Sequence, residues 1–138
     1  MISVRSGKSV DQSFAAGRLE IARSFFKAAE DGLTLAEQGQ AQNPIVSSIV
    51  LAAIAYCDAL TAKYSGQINQ KDHRGVVKLL RGALGSRLPR SHENYLIKVI
   101  SAKDDVQYGY RQTNMLEANQ LIEGLRPFAA WAEQEFNR

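Results

Sequence analysis

The sequence predicts an all-α protein, an up-and-down helical bundle of four main helices plus one short helix. Apolar residues recur in steps of three and four along three long stretches, which is the spacing of a buried helix face. A fourth stretch is apolar on almost every side, as in a helix surrounded by others. No stretch shows the sustained alternation between hairpin turns that marks β-strands, so we expect no sheet.

The stretch 43–66 is the helix around which the bundle is expected to be built. We expect Asn43 to be its N-cap, Pro44 its first helical residue and Gly66 its left-handed C-cap. The uninterrupted apolar run, Ile49 to Cys57, is far shorter than the roughly 20 residues that a membrane span needs. We therefore expect a buried central helix and no membrane partner.

The other helices are placed by the same spacing and by capping residues. A long first helix is expected from Asp11, antiparallel to the central helix because only the short turn 39–43 joins them. Asp72 is expected to cap the short helix, and Ser91 to cap the helix that follows it.

The last helix carries a capping signal and a helix breaker. Asn114 and Glu117 have the spacing of a capping box. Pro127 removes one backbone hydrogen bond, which predicts a kink near Glu123–Gly124.

Length and composition indicate one domain of ordinary globular type. The chain has 138 residues, of which 45% are apolar. We expect a flexible N-terminal arm over 1–10 and one helical domain over 11–138. The single cysteine, Cys57, lies on the apolar helix and is expected to be a packed, unreactive thiol. No apolar leader opens the sequence, so a cytoplasmic location is expected.

The pattern offers no support for a metal or a cofactor. His73 and His92 lie far apart, and one cysteine cannot form a thiolate metal site. Glycine-rich phosphate loops are absent from the sequence. We therefore expect neither a cofactor nor a metal.

Charge is distributed unevenly along the chain. The segment 71–103 carries eight lysines and arginines against two acids, whereas the whole chain has a net charge of only +3. Such asymmetry is typical of a phosphate-binding face, and equally of a solvated surface if the charges are scattered. A second unusual feature is Asp58 in the apolar helix, which indicates either an ion pair at the rim or a polar site at one end of the bundle.

Three stretches together resemble the HEPN domain family, a helical family of toxin–antitoxin, defence and nucleotidyltransferase-associated proteins. They are LAAIAYCDALTAKYSG, DHRGVVKLL and AKDDVQYGYRQTNMLEANQLIEGLRPFAAWAE, within a resemblance that covers about 15–136. The resemblance implies a helical bundle, frequently dimeric, with a role in nucleotide or RNA metabolism. Within the matching stretches, a ligand site is expected at one end of the bundle from Asp58, His73, Arg74, Lys103 and Tyr108.

Catalytic members of that family carry an arginine, four to six residues and then a histidine, and they cleave RNA without metal. Arg87 and His92 match this spacing. Leu88 stands where those enzymes usually have a polar residue, and Pro89 places Arg87 in a loop. We therefore expect a non-catalytic module, with the metal-independent ribonuclease as the alternative reading.

The expected function is binding of nucleotide or RNA, or of a partner protein such as a nucleotidyltransferase or a toxin. A helical bundle that only binds protein is a further alternative. Some helices carry more apolar residues than one buried face needs, and this excess predicts a two-fold homodimer. These residues are Phe14, Phe25, Phe128 and Trp131.

Overall fold

The computed structural model describes residues 7–69, 74–107, 109 and 111–138. It is 80% helical, which confirms the all-α bundle of four main helices and one short helix. The elements in order are β1 (Gly7–Ser9), α1 (Gln12–Leu35), α2 (Asn43–Ser65), β2 (Gln67–Asn69), α3 (Arg74–Leu84), a 3-10 turn (Gly85–Arg87), α4 (Arg90–Gln107) and α5 (Met115–Phe136).

Helix α2 forms the centre of the bundle and contacts each of the other four helices. Its buried residues run almost without interruption from Ile45 to Ala62. The helix is long and apolar enough to cross a membrane, yet 83% of its most apolar window is buried inside the bundle. Its apolar surface is therefore satisfied by protein, as expected for a core helix.

Local capping signals position most helix ends as the sequence predicts. The Asp11 carboxylate accepts a hydrogen bond from the Phe14 amide at the start of α1. Gly66 ends α2 with φ = 67°, in the left-handed region. Asn114 and Glu117 form the complete capping box of α5.

Three predicted caps differ from the structure or lie outside it. Asn43 is the first residue of α2 rather than its cap, and Gln42 occupies the N-cap position. The Asn43 side chain instead accepts hydrogen bonds of 2.8 Å from the Thr113 amide and hydroxyl, which fastens α2 to the α4–α5 connection. Asp72 lies outside the described residues, and α4 begins at Arg90, one residue before the predicted cap Ser91.

The chain forms a small sheet that the sequence analysis did not predict. Strand β1 pairs antiparallel with β2, with Lys8 opposite Ile68. Residues 7–9 of the predicted flexible arm over 1–10 are thus paired in a sheet, and the flexibility of the arm stays a prediction. The backbone of those residues pairs with the strand that follows α2, and the Val10 amide donates to the Gly66 carbonyl. Residues 1–6 lie outside the described part of the chain.

Helix α5 packs closely on α4 through a glycine. A Cβ placed on Gly124 would lie 2.4 Å from a ring carbon of Tyr95, so only glycine leaves room for this ring. The Tyr95 hydroxyl donates a 2.9 Å hydrogen bond to the Leu121 carbonyl. Pro127 lies inside the single helix α5, and the kink predicted there stays a prediction.

The four aromatic residues predicted to be surplus to the core all pack against it, but to different extents. Phe128 is fully buried and contacts Tyr56 edge to face. Phe25 and Trp131 pack against the main core, and Phe14 packs against a smaller cluster around Ile68. Phe128 is therefore not available for an interface, whereas Phe14, Phe25 and Trp131 are partly exposed, and the homodimer stays a prediction.

Candidate functional site

Helix α3 presents a row of basic side chains opposite its buried face. Val76, Val77, Leu80 and Leu84 are buried in the bundle. Arg74, Lys78 and Arg81 follow one another at helical spacing, so they stand on one side of the helix. This side forms one wall of a groove between α3 and α4.

The groove has a volume of about 1230 Å³, and its other wall is α4. Ile97, Ile100, Ser101 and Asp104 line that wall, and Val77 of α3 contributes to the apolar floor. Ile97 is 55% exposed, although it is a large aliphatic residue beside other apolar residues. The groove therefore combines a basic wall, an aliphatic floor and a polar end at Ser101 and Asp104.

Arg81, the third residue of the basic row, connects α3 to the start of α4. Its guanidinium donates to the Glu93 carboxylate at 2.7 Å and to the Leu88 carbonyl at 3.0 Å. The hydrogen bond from Arg81 lowers the pKa of Glu93. This contact joins the end of α3 to the start of α4 and fixes the width of the groove at that end.

Arg74 and Lys78 are exposed and form no ion pair with any residue that the structure describes. Like charges one helical turn apart destabilise a helix by roughly 0.2–0.5 kcal/mol. An anion placed in the groove would relieve this repulsion and pair with both side chains. These two cations are the feature of the groove that favours a negatively charged ligand.

The structure describes three of the five residues predicted as a ligand site, and these three lie on three different helices. Arg74 lines the groove, and Lys103 lies on α4 but is not part of the groove wall. Asp58 lies at the α1–α2 interface, where Arg18 Nη2 approaches its Oδ2 to 3.1 Å. His73 and Tyr108 lie outside the described residues. Of the two readings of Asp58, the structure supports the ion pair.

Burial dominates the electrostatics of Asp58. Its side chain is 11% exposed, and burial raises its pKa to about 6 against the opposing effect of Arg18. Arg18 Nε is itself buried without a hydrogen-bond partner. The adjacent Cys57 is fully buried, and burial raises the pKa of its thiol well above the usual value. The predicted packed thiol is confirmed.

The alternative catalytic arginine, Arg87, is held by a buried carboxylate. Its guanidinium donates to Glu135 Oε1 at 2.8 and 3.1 Å and lies 4.6 Å from the centre of the Tyr64 ring. Glu135 is only 6% exposed and also forms an ion pair with Arg138. Burial raises the pKa of Glu135, but the hydrogen bonds from the two arginines leave it below its usual value. Arg87 thus neutralises an internal charge and anchors the end of α5.

The alternative catalytic histidine, His92, lies in the first turn of α4 and packs on aromatic rings. Its ring centre is 5.3 Å from that of Trp131 and 5.8 Å from that of Phe128. Burial lowers its pKa, which favours the neutral imidazole. His92 and Arg87 thus both face α5, but each contacts a different part of that helix.

A second hollow of about 600 Å³ lies between α1 and α5, beside the nearly buried Tyr56. Its charges are paired with one another. Arg23 donates to both oxygens of Glu133 at 2.6 and 2.8 Å, and Arg126 lies 3.6 Å from Glu30. Because these cations already have partners, this hollow is a weaker candidate for an anionic ligand than the α3–α4 groove.

The described residues contain no group of three His, Cys, Asp or Glu side chains that could hold a metal ion. Of the residues that line the groove, only Arg74 was predicted from the sequence as a site residue. Lys78 could have been found there, because it follows Arg74 by four residues on a strongly amphipathic short helix.

No family model matches the chain, and no curated protein is significantly similar to it. What the chain binds is therefore inferred from the residues of the groove.

Proposed function

We propose that this chain is a non-catalytic, HEPN-like binding module that holds an anionic ligand in the α3–α4 groove. The ligand class comprises nucleotide, RNA and an acidic partner protein, in a cytoplasmic defence or toxin–antitoxin setting. The observation that supports the proposal most is the pair Arg74 and Lys78, which lines the groove without an ion-pair partner among the described residues. An exposed cation row beside an apolar floor provides both charge and contact area for a ligand.

The contacts of Arg87 support the non-catalytic reading. Phosphoryl-transfer chemistry needs a cation aimed at the developing charge of the transition state. The Arg87 guanidinium is instead directed at the buried Glu135 carboxylate and stacked on Tyr64. Moving it to a substrate would leave Glu135 charged, buried and paired only with Arg138, which carries a large energetic cost.

The ribonuclease alternative has one observation in its favour. His92 lies in the first turn of α4, where burial keeps the imidazole neutral and therefore able to accept a proton. We expect the purified protein to leave structured RNA intact in the presence of a chelator. Cleavage by the wild type that disappears in the His92→Ala variant would contradict the non-catalytic proposal.

Anion binding is tested by titrating labelled single-stranded RNA, with mononucleotides as competitors, at low and moderate salt. Affinity should fall steeply with salt, because phosphate contacts release counterions. Lys78→Glu should weaken binding about tenfold, as expected for reversing a charge that contacts the ligand. Lys98→Glu is the matched control, because Lys98 is exposed on α4 outside the groove.

Equal effects of Lys78→Glu and Lys98→Glu would show that binding depends on total charge rather than on the groove.

The predicted homodimer is tested separately, by sedimentation at high micromolar protein concentration. A monomer under those conditions would refute the dimer without affecting the groove.

A further inference from the structure

We infer that the natural occupant of the α3–α4 groove is an acidic amphipathic helix of a partner protein. This inference rests on the proposed function and narrows its ligand class. The decisive juxtaposition is a basic row on one wall, Arg74 and Lys78, beside an exposed aliphatic residue on the other, Ile97.

The floor of the groove favours an aliphatic surface over nucleic-acid bases. Val77, Ile97 and Ile100 form the apolar part, and no aromatic side chain lines the groove among the described residues. Proteins that bind single strands stack bases on aromatic rings, which contribute about 1–3 kcal/mol per base. Of the two arginines here, Arg81 is committed to Glu93 and cannot serve as a stacking plane. A base would therefore gain little from this floor.

Ile97 supplies the apolar anchor. It is 55% exposed, whereas its neighbour on the next turn, Ile100, is 5% exposed and completes the core. A leucine or isoleucine of a partner would cover Ile97 and contact Val77 beneath it. This is the helix-in-groove mode of recognition, in which residues at i, i+3, i+4 and i+7 of the partner enter an apolar groove.

The basic row sets the charge of the partner. Arg74 and Lys78 are one turn apart, so acids one turn apart on a partner helix would face them. Gly82 continues this row by one more turn and presents no side chain, which lets another backbone approach closely. Helix α3 has 11 residues and is about 16 Å long, so a partner helix of about three to four turns would span the groove.

The test uses synthetic helical peptides about four turns long that carry a leucine row and a glutamate row. A small set varies the angle between the two rows, and each member has a control of equal composition with its leucines spread around the helix. Binding is measured by fluorescence anisotropy. We expect at least one peptide to bind at least tenfold more tightly than its control.

Two variants assign the binding to the groove. Ile97→Ala should weaken peptide binding about fivefold or more, because it removes an exposed anchor without disturbing the core. Leu116→Ala is the control, since Leu116 is 65% exposed at the start of α5. Circular dichroism of both variants checks that the bundle is intact.

The outcomes separate this inference from the proposed function. Control peptides that bind as tightly as amphipathic ones, or no effect of Ile97→Ala, would overturn the inference. RNA binding that Lys78→Glu abolishes, without peptide binding, would also overturn it and leave the proposed anion site in place. Failure of both RNA and peptides to bind would refute the inference and the proposed function together.

Discussion

Replacing Asp58 with asparagine removes a buried carboxylate charge from the α1–α2 interface and almost preserves side-chain shape. Burial raises the pKa of Asp58 from 3.8 to about 6, and the ion pair with Arg18 only partly opposes this shift. Because the folded-state pKa is the higher one, the folded protein binds the proton more tightly than the unfolded chain. The stability that Asp58 contributes is therefore present below about pH 4 and is lost as the pH rises through about 6.

The magnitude follows from the size of the shift. One pKa unit corresponds to about 1.4 kcal/mol, so the rise to about 6 is worth about 3 kcal/mol of unfolding free energy. The Asp58→Asn variant lacks this titration. Only the wild type therefore loses this stability as the pH rises. The difference in unfolding free energy, variant minus wild type, should increase by up to about 3 kcal/mol between about pH 4 and about pH 7. Energetic effects of losing the Arg18 contact that do not vary with pH cancel in this difference.

The assay is urea unfolding of both proteins across this pH range, followed by circular dichroism. Asp31→Asn is the matched control, because the Asp31 side chain is 60% exposed and the same charge is lost from the chain. A difference between Asp58→Asn and wild type that is constant with pH would refute the argument. A difference that shrinks as the pH rises would show that the Arg18 pair outweighs burial.

Three further predictions follow from packing. Gly124→Ala should destabilise the protein, because the new Cβ would clash with Tyr95, whereas Gly17→Ala at an open position of α1 should stabilise it by up to about 1 kcal/mol. Thermal unfolding compares the two variants, and equal effects would contradict the packing argument. Glu135→Ala should lower the free energy of unfolding in urea by about 1–3 kcal/mol, because it leaves Arg87 without its buried partner. Glu20→Ala, which removes one member of a surface ion pair, should change that free energy by less than about 1 kcal/mol. Cys57 should react with a thiol reagent only after unfolding, because it is fully buried, and rapid labelling of the native protein would show that α2 is exposed.

Features encoded by neighbouring residues could be predicted from the sequence. The Asp11 cap, the Asn114–Glu117 capping box and the Gly66 C-cap each depend on contacts within a few residues, and each is present. The apolar faces of the helices belong to the same category, since a period of three to four residues is visible within one stretch of the chain.

Features that depend on distant partners could not be predicted in this way. Strands β1 and β2 have three residues each, too few for alternation to be recognised, and their pairing joins the start of the chain to the end of α2. The residue type of Asn43 predicts an N-cap, but its side chain binds Thr113, 70 positions away.

The candidate groove was predictable only in part, for the same reason. The sequence shows the basic segment 71–103 but not the direction in which each charge points. Arg81 and Arg87 are neutralised by Glu93 and Glu135, whereas Arg74 and Lys78 remain on the groove wall. Which cations are left for a ligand depends on how α3, α4 and α5 pack together.

The most direct test of the central claim is to locate bound ligand by amide chemical shifts of the isotope-labelled protein. A short single-stranded RNA and an acidic amphipathic peptide are titrated separately. We predict that the shifts produced by at least one of them are confined to the helix segments that carry the groove residues, 74–82 of α3 and 97–104 of α4. Shifts centred on the α1–α5 hollow around Arg23, or spread over the whole surface, would contradict the claim that the α3–α4 groove is the binding site.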